Sequence, residues 1–292
     1  MPRSLILSAT MTFIWLVWPR DEIFCARQTR SLLLVQGKVF VQKQDINGSY
    51  PRGALSNARP RIYTVDMFKS SVEEHGFAVE ENVIGASVTN RLLQTLSESE
   101  ATRSRAGIRN AMRNAEVARI ASSEDLLCMA REILGPEAIP FRATLFDKSP
   151  VSNWLVVWHQ DKALPMVERR EISGWGPWSV KAGVTYAHAP ASALSQVVAL
   201  RLHLEDSVAE NGPLRVLPGT HFLGILSDEE MLRLAGNTAT VECLVRRGGV
   251  LAMRPLLVHA SSKSRSPKPR RVLHIEYAAK RMIEDEMELA IA

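Results

Sequence analysis

His159 and Asp161, two residues apart near the middle of the chain, close a run rich in valine and tryptophan, NWLVVWHQD at 153–161. Alternate residues of a strand share a face. Leu155, Val157, His159 and Asp161 are therefore expected on one face, with Trp154, Val156 and Trp158 on the other. If the first face lines an interior, an imidazole and a carboxylate are buried side by side, which is costly unless they pair or hold a metal. A hundred residues later Leu251, Met253, Pro255, Leu257, His259 and Ser261 read as one face of a second strand, apolar until His259. Two histidines and one carboxylate placed at matching strand ends can form a facial triad. Such a triad leaves three positions of Fe(II) open for a co-substrate and dioxygen. HxD alone is a weak signal, and a surface or core histidine beside an aspartate is the competing reading. The distal His259 is what raises the metal reading above it.

Arg270 lies eleven residues past His259 and opens the next run. A guanidinium can hold a carboxylate bidentately, as the far end of a 2-oxoglutarate molecule would require. Ser261 is placed to donate to the same carboxylate.

These residues need strands to position them, and the texture after Pro140 supplies the candidates. Runs at 141–146, 153–161, 197–206, 213–221, 238–245, 249–262 and 270–278 are rich in Val, Leu, Phe and Trp and are separated by turn signals. Seven strands at this spacing suggest an all-β sandwich or barrel. The helical patterns come earlier, at Leu92, Leu93 and Leu96, and then across Glu116–Leu134 as one or two helices ended by Gly135-Pro136. The fold class expected is mainly β with helices flanking on the N-terminal side.

The chain has 292 residues, 46% hydrophobic and 23% charged, an ordinary globular composition that excludes collagen, coiled coil or full disorder. The formal charge of +5 is misleading. Residues 1–66 hold nine Lys or Arg against four Asp or Glu, which accounts for the whole excess. The rest is balanced and has no basic surplus to drive nucleic-acid binding. Cys25, Cys128 and Cys243 are odd in number and far apart, so a disulfide framework or thiolate zinc site is not expected. The division expected is a poorly structured or dispensable extension over 1–66 and one domain over 67–292. Within the extension, SLILSATMTFIWLVW at 4–18 reads as a targeting segment or short anchor, about 15 residues where a span needs about 20. The alternative is a misassigned start upstream of Met67. The domain itself is expected to be cytoplasmic, with membrane association not expected.

From about Phe68 to Ala278 the chain resembles the phytanoyl-CoA dioxygenase family of Fe(II)/2-oxoglutarate oxygenases. The matching stretches are EHGFAVEENV, GIRN at 107–110, FDKSPVSNWLVVWHQD at 146–161, GWGPWSVKAGV at 174–184, ENGPLRVLPGTH at 210–221, and PLLVHASS with PRRVLHIEYA across 255–278. The resemblance implies a double-stranded β-helix, a jelly-roll with a cupin-like core. It implies His159, Asp161 and His259 as iron ligands, Arg270 and Ser261 on the 5-carboxylate of 2-oxoglutarate, and Gln160 within the family's usual HQD. Arg201 stands where some relatives carry an aromatic residue lining the co-substrate pocket, so it is expected there too. The activity implied is a dioxygenase, a hydroxylase of a small-molecule substrate that uses dioxygen, with ascorbate a supporting reductant in vitro. Asp161 argues against halogenation, which needs a small residue in place of the carboxylate. A cupin-like metalloenzyme that does without 2-oxoglutarate is the first alternative, and Arg270 argues against it. An inactive binding protein of the same fold is the second, and the intact triad argues against that.

Several further residues stay open. Trp175 and Trp178 are placed on a loop after the first ligands, where a lid would sit. Lys148 and Arg109 are candidate contacts for an anionic substrate or solvated charges. His221 is expected to be structural, and His203 either faces inward or is a bonded core histidine. His75, His188 and His274 show no partner set. The oligomeric state is not readable.

Overall fold

The computed structural model of the protein describes residues 30–35, 38–43, 65–98, 103–104 and 107–292. The apolar segment 4–18 lies outside the described residues. The chain divides into two compact units after residue 62. In the first, β1 (Arg30–Val35) pairs antiparallel with β2 (Lys38–Lys43), Arg30 opposite Lys43.

The second unit opens with α1 (Val65–His75), stopped by Gly76 at φ +83°. A Cβ on Gly76 would meet His221 Nδ1 at 2.6 Å, so the turn has both conformational and steric need of glycine. After β3 (Phe77–Glu80) comes α2 (Ala86–Glu98), which buries Thr89, Leu92 and Leu96 along one stripe. The short strands β4 (Arg103–Ser104) and β5 (Gly107–Ile108) precede two helices. α3 (Ala115–Ala121) is capped by the Asn114 side chain, which accepts from the Glu116 and Val117 N–H groups. α4 (Glu124–Leu134) ends at Gly135 and buries Leu126, Met129, Ala130 and Ile133.

The β region follows as β6 (Ile139–Lys148), β7 (Val156–His159), β8 (Ala163–Met166), β9 (Trp178–Lys181) and β10 (Val184–His188). A short helix, α5 (Ala191–Ser195), leads to β11 (Val197–His203) and β12 (Leu214–Val216). Then come α6 (Asp228–Asn237), β13 (Val241–Cys243), β14 (Val250–Met253), β15 (His259–Ser261) and β16 (Arg270–Ala278). A last hairpin joins β17 (Met282–Ile283) and β18 (Met287–Glu288). One sheet runs β3-β14-β11-β16-β6-β5-β4 and a second runs β13-β12-β15-β7; every strand pairing in both is antiparallel. A third, β8-β10-β9, is inserted directly after the HxD strand.

Alternation divides each central strand between two cores. Val198, Leu200 and Leu202 of β11 and Leu273, Ile275 and Tyr277 of β16 pack with the residues that α2, α3 and α4 bury. Each such fully buried aliphatic side chain is worth about 1.5–3 kcal/mol. On the opposite face Ala199, Leu251 and Met253 meet Leu214, Val216, Cys243 and Leu257 between the two sheets. This is the mainly β jelly-roll with flanking helices that the sequence leads one to expect.

Three features differ from the sequence reading. The run 249–262 is two strands in two sheets, not one. Pro255 has no N–H to give a ladder, and the chain crosses between the sheets at 254–258. Leu251, Met253 and Leu257 nevertheless face the same core, which is why the stripe looked continuous. The second difference is the inserted sheet, whose runs are short and broken by glycine and proline. The third is α6, which was legible. Ser227 and Glu230 form a capping box, the Ser227 hydroxyl accepting from the Glu230 N–H at 3.3 Å and the Glu230 carboxylate from the Ser227 N–H at 2.8 Å.

Tyr277 is fully buried and its hydroxyl donates to the Ala121 carbonyl at 2.7 Å, tying β16 to the end of α3. Tyr277→Phe leaves that carbonyl without its donor and should cost about 1–3 kcal/mol in urea unfolding at unchanged m-value. A midpoint equal to the parent's would show that the bond contributes nothing.

Candidate metal centre

β15 pairs with β7 so that His259 lies opposite His159. Their ring centroids are 4.1 Å apart. His259 Nδ1 lies 2.8 Å from the Leu257 carbonyl, and His159 Nδ1 lies 2.9 Å from that of Val157 and 3.0 Å from that of His259. A carbonyl only accepts, so each Nδ1 carries the proton and each Nε2 is left with its lone pair. Asp161 lies just past the end of β7, pinned by its N–H to the Pro255 carbonyl at 2.9 Å. Its carboxylate oxygens stand 3.8 Å from His159 Nε2 and 3.6 Å from His259 Nε2. One ligand atom from each of the three residues falls within 4.8 Å of the others, a span that an ion can bridge. His259 is 3% exposed, while His159 and Asp161 are 35% and 34% exposed, so the cluster opens outward on their side.

The protonation states suit a metal. Burial, followed by the neighbouring His159, pushes the His259 imidazole down to about 3, so it is neutral at pH 7. Burial alone would raise the Asp161 carboxyl, but His259, His159, His274 and Arg142 outweigh it and hold it below the usual carboxylate range.

Deeper in the barrel, β16 turns Arg270, Val272, His274 and Glu276 toward the interior. Arg270 is opposite Lys148 of β6, and Arg201 of β11 is opposite His274. Arg270, Lys148 and Arg201 are all buried. Lys148 Nζ donates to the Ser261 hydroxyl at 2.8 Å and the Ser262 carbonyl at 2.6 Å. Arg270 reaches Ser261 Oγ at 3.4 Å and the Asn211 carbonyl at 3.3 Å. The Ser261 hydroxyl donates onward to the Gly212 carbonyl at 2.9 Å. Arg201 donates to His274 Nδ1 at 2.9 Å. Among the described residues no carboxylate forms an ion pair with any of the three cations. Burial and then Arg270 and Arg201 push the Lys148 amine down to about 7, and burial and then Arg201 push Arg270 down to about 9. Arg201 Nε and His203 Nε2 are buried without a hydrogen-bond partner. Uncompensated buried charge and orphaned polar nitrogens are costly, and a bound carboxylate would satisfy them.

Lys148 is thus a buried pocket residue and not a solvated charge; its place as the last interior position of a ten-residue strand was the signal available. Arg201, Ser261 and Arg270 are buried with Lys148. Gln160 does not face the pocket. Its amide donates to the Gly224 and Leu256 carbonyls at 2.8 Å, and its carbonyl accepts from the Leu226 N–H at 2.9 Å. As the residue between the inward-facing His159 and Asp161 it points outward, and there it ties loops together. Trp154 does turn to the pocket side, its ring centroid 5.3 Å from Lys148 Nζ. The β7–β15 register shifts between the His259 pair and the Ser261–Val156 pair, so strict alternation fails across 156–159. Trp158 faces out, packing on Leu217, Leu226, Met231 and Val258. Trp175 is buried in the cluster around Leu164, Met166 and Leu194, and Trp178 opens β9 against it, so neither forms a loose lid. His203 faces inward and bonds Ser207 at 2.9 Å. His221 holds the Glu73 carbonyl at 3.1 Å. Burial pushes the Cys243 thiol up to about 12, and burial with Glu124 pushes Cys128 up to about 11, so neither thiol competes for metal at neutral pH.

Comparison with known proteins places this architecture. Among solved structures, the non-heme alpha ketoglutarate dependent epimerase SnoN from nogalamycin biosynthesis is 17% identical, with a TM-score of 0.56 over 75% of this chain and 83% of its own. EctD from S. alaskensis is 21% identical, with a TM-score of 0.56 over 81% and 84%. AviO1 from Streptomyces viridochromogenes Tue57 is 20% identical, with a TM-score of 0.53 over 73% and 94%. At these identities the likeness is one of fold. No curated protein matches the sequence. The family model for phytanoyl-CoA dioxygenase matches residues 72–272, a range that takes in His159, Asp161, His259, Ser261 and Arg270, and by that match the chain belongs to the phytanoyl-CoA dioxygenase family.

Proposed function

We propose that the protein is a 2-oxoglutarate-dependent, non-haem Fe(II) dioxygenase that hydroxylates a small molecule. The observation that carries this reading is one barrel interior holding both a His-Asp-His cluster and, deeper, a buried cationic pocket in which, among the described residues, no carboxylate pairs with Lys148, Arg201 or Arg270. The first suits a divalent metal with open positions. The second suits the far carboxylate of a dicarboxylic acid whose other end reaches the metal. Solved relatives support the pairing: EctD is known with bound Fe and with 2-oxoglutarate and 5-hydroxyectoine, and SnoN in complex with Fe3+ and alpha ketoglutarate.

In this reading His159 Nε2, His259 Nε2 and an Asp161 oxygen hold the iron. Arg270, Lys148 and the Ser261 hydroxyl receive the distal carboxylate, with Arg201 beside them. Bound iron and 2-oxoglutarate supply the oxidising chemistry from dioxygen. The chain supplies position. The Leu257 and Val157 carbonyls fix the two imidazole tautomers and aim Nε2 at the ion. The Pro255 carbonyl holds Asp161 at the strand end. The buried cations replace the hydration that a carboxylate loses on entry.

Iron-dependent succinate formation from 2-oxoglutarate, with a pool of small metabolites present, tests the reading. Asp161→Ala and His259→Ala should each lower both metal affinity and succinate formation by more than about 100-fold, since even residues behind the ligands matter at roughly 10–100-fold. Either variant turning over normally would remove the ligand assignment. A second outcome follows from Lys148. Its amine titrates near 7 in the free pocket, and an incoming dianion favours the protonated form. Affinity for 2-oxoglutarate should therefore fall as pH rises above 7, by up to about tenfold per unit while one proton is taken up on binding. Lys148→Met should flatten that profile. A flat profile in the parent protein would take Lys148 out of the pocket's chemistry.

A further inference from the structure

A second set of cations lies on the other side of the metal cluster from Arg270. Arg142 extends from β6, donates to the Ala163 carbonyl at 2.9 Å, two residues past Asp161, and contacts Glu276 at 2.9 Å. Glu276 is the inward residue of β16 six positions beyond Arg270, about 20 Å along the strand. Arg142 and Lys181 both stand over the Tyr186 ring, at 5.4 and 5.5 Å from its centroid. Asn110, next to Arg109, donates to the Ala182 carbonyl at 3.2 Å and so brings Arg109 up to the β9–β10 hairpin. His188 of β10 lies opposite Ala163, which sets Lys162 beside it.

In this wall Arg142 and Lys181 stand over one phenol, Arg109 lies near it, and Lys162 lies beside His188. Burial lowers the Lys181 ammonium, and Arg109 and Arg142 lower it further; burial, Lys162 and Lys181 do the same to His188. Arg142 has a carboxylate partner in Glu276 among the described residues. Among the described residues no ion pair engages Arg109, Lys162 or Lys181. Contact with the Tyr186 ring offsets part of the repulsion for Lys181, while Arg109 is exposed and Lys162 half-buried. Like charges gathered at an opening without structural partners raise the local concentration of anions. Leu155, just before the edge strand that ends at His159, and Val157 within it are 56% and 66% exposed and add apolar surface close in sequence to the cluster.

Building on the oxygenase reading, we infer that the substrate carries an anionic group, a carboxylate or a phosphate, which docks on Arg109, Lys162 and Lys181 and so presents an apolar part of the molecule to the metal. Arg142, already engaged by Glu276, positions this wall and is not the docking group.

The test uses the full chain with Fe(II) and 2-oxoglutarate under anaerobic conditions. Hexanoate, hexyl phosphate and 1-hexanol are titrated by calorimetry at constant ionic strength. At least one of the two anions should bind more tightly than hexanol, and the preferred anion tells carboxylate from phosphate. The double variant Arg109→Ala/Lys181→Ala should weaken that anion about tenfold while its affinity for 2-oxoglutarate stays within about twofold of the parent's. Equal binding of hexanol and both anions, absence of anion binding to the parent, or unchanged anion binding in the double variant would overturn the inference. A parent protein that binds no 2-oxoglutarate in the same titration would overturn the oxygenase reading and this inference with it.

Discussion

The site hangs on one antiparallel pairing. β15 is three residues long and β7 four, yet their contact sets His259 opposite His159. Opposed residues in such a pair lie about 4.5–5.5 Å apart at Cα, close enough for two imidazoles to share an ion. A slip of one residue in either strand would send that strand's ring to the outer face. The pairing is held from several sides: Ser261 bonds the Gly212 carbonyl, Asp161 bonds Pro255, and Gln160 ties the strand's outer face to the 224–226 loop. Gln160 thus holds from behind the segment that carries His159 and Asp161.

The interior is costly. Arg201, Lys148 and Arg270 are withdrawn from water with no carboxylate paired to them among the described residues, and His203 and Arg201 keep nitrogens without partners. The same strands offset that cost on their other faces. Arg201 sits between Leu200 and Leu202, and His274 between Leu273 and Ile275, all four fully buried in the core beneath the helices. Strand alternation is what lets one strand carry a polar pocket on one side and apolar packing on the other. The helices on the N-terminal side of the chain therefore bear on the site although they do not touch the ligands. They cover the sheet whose inner face holds the charges.

Charge sign also divides the barrel. Asp161 is the one acid in the metal cluster, with cations toward Arg270 on one side and toward Arg142 on the other. Arg201 meets His274, and Glu276 meets Arg142, in a row of polar groups along β16 and its neighbours. Lys148 belongs to that interior, whereas Arg109 is exposed, so two residues that looked alike in sequence have different surroundings.

Much was legible in the sequence alone. The alternating runs, the helix patterns around Leu92 and across 116–134, and the HxD with a distant histidine depend on local periodicity, which a linear reading detects. His159, Asp161 and His259 could be singled out together because residue type and spacing suffice to point at them, and the structure brings the three into one cluster. The Ser227 and Glu230 capping box was equally local and still went unread. Other features needed the tertiary structure. The register shift beside Val156 turned Trp154 inward, the crossover at Pro255 split an apparently continuous strand, and pairing across β6, β11 and β16 gathered Lys148, Arg201 and Arg270. Periodicity reports which residues share a face, but not which faces meet. That depends on non-local strand pairing, and so do the burial that shifts an amine's protonation and the absence of any acid to neutralise it.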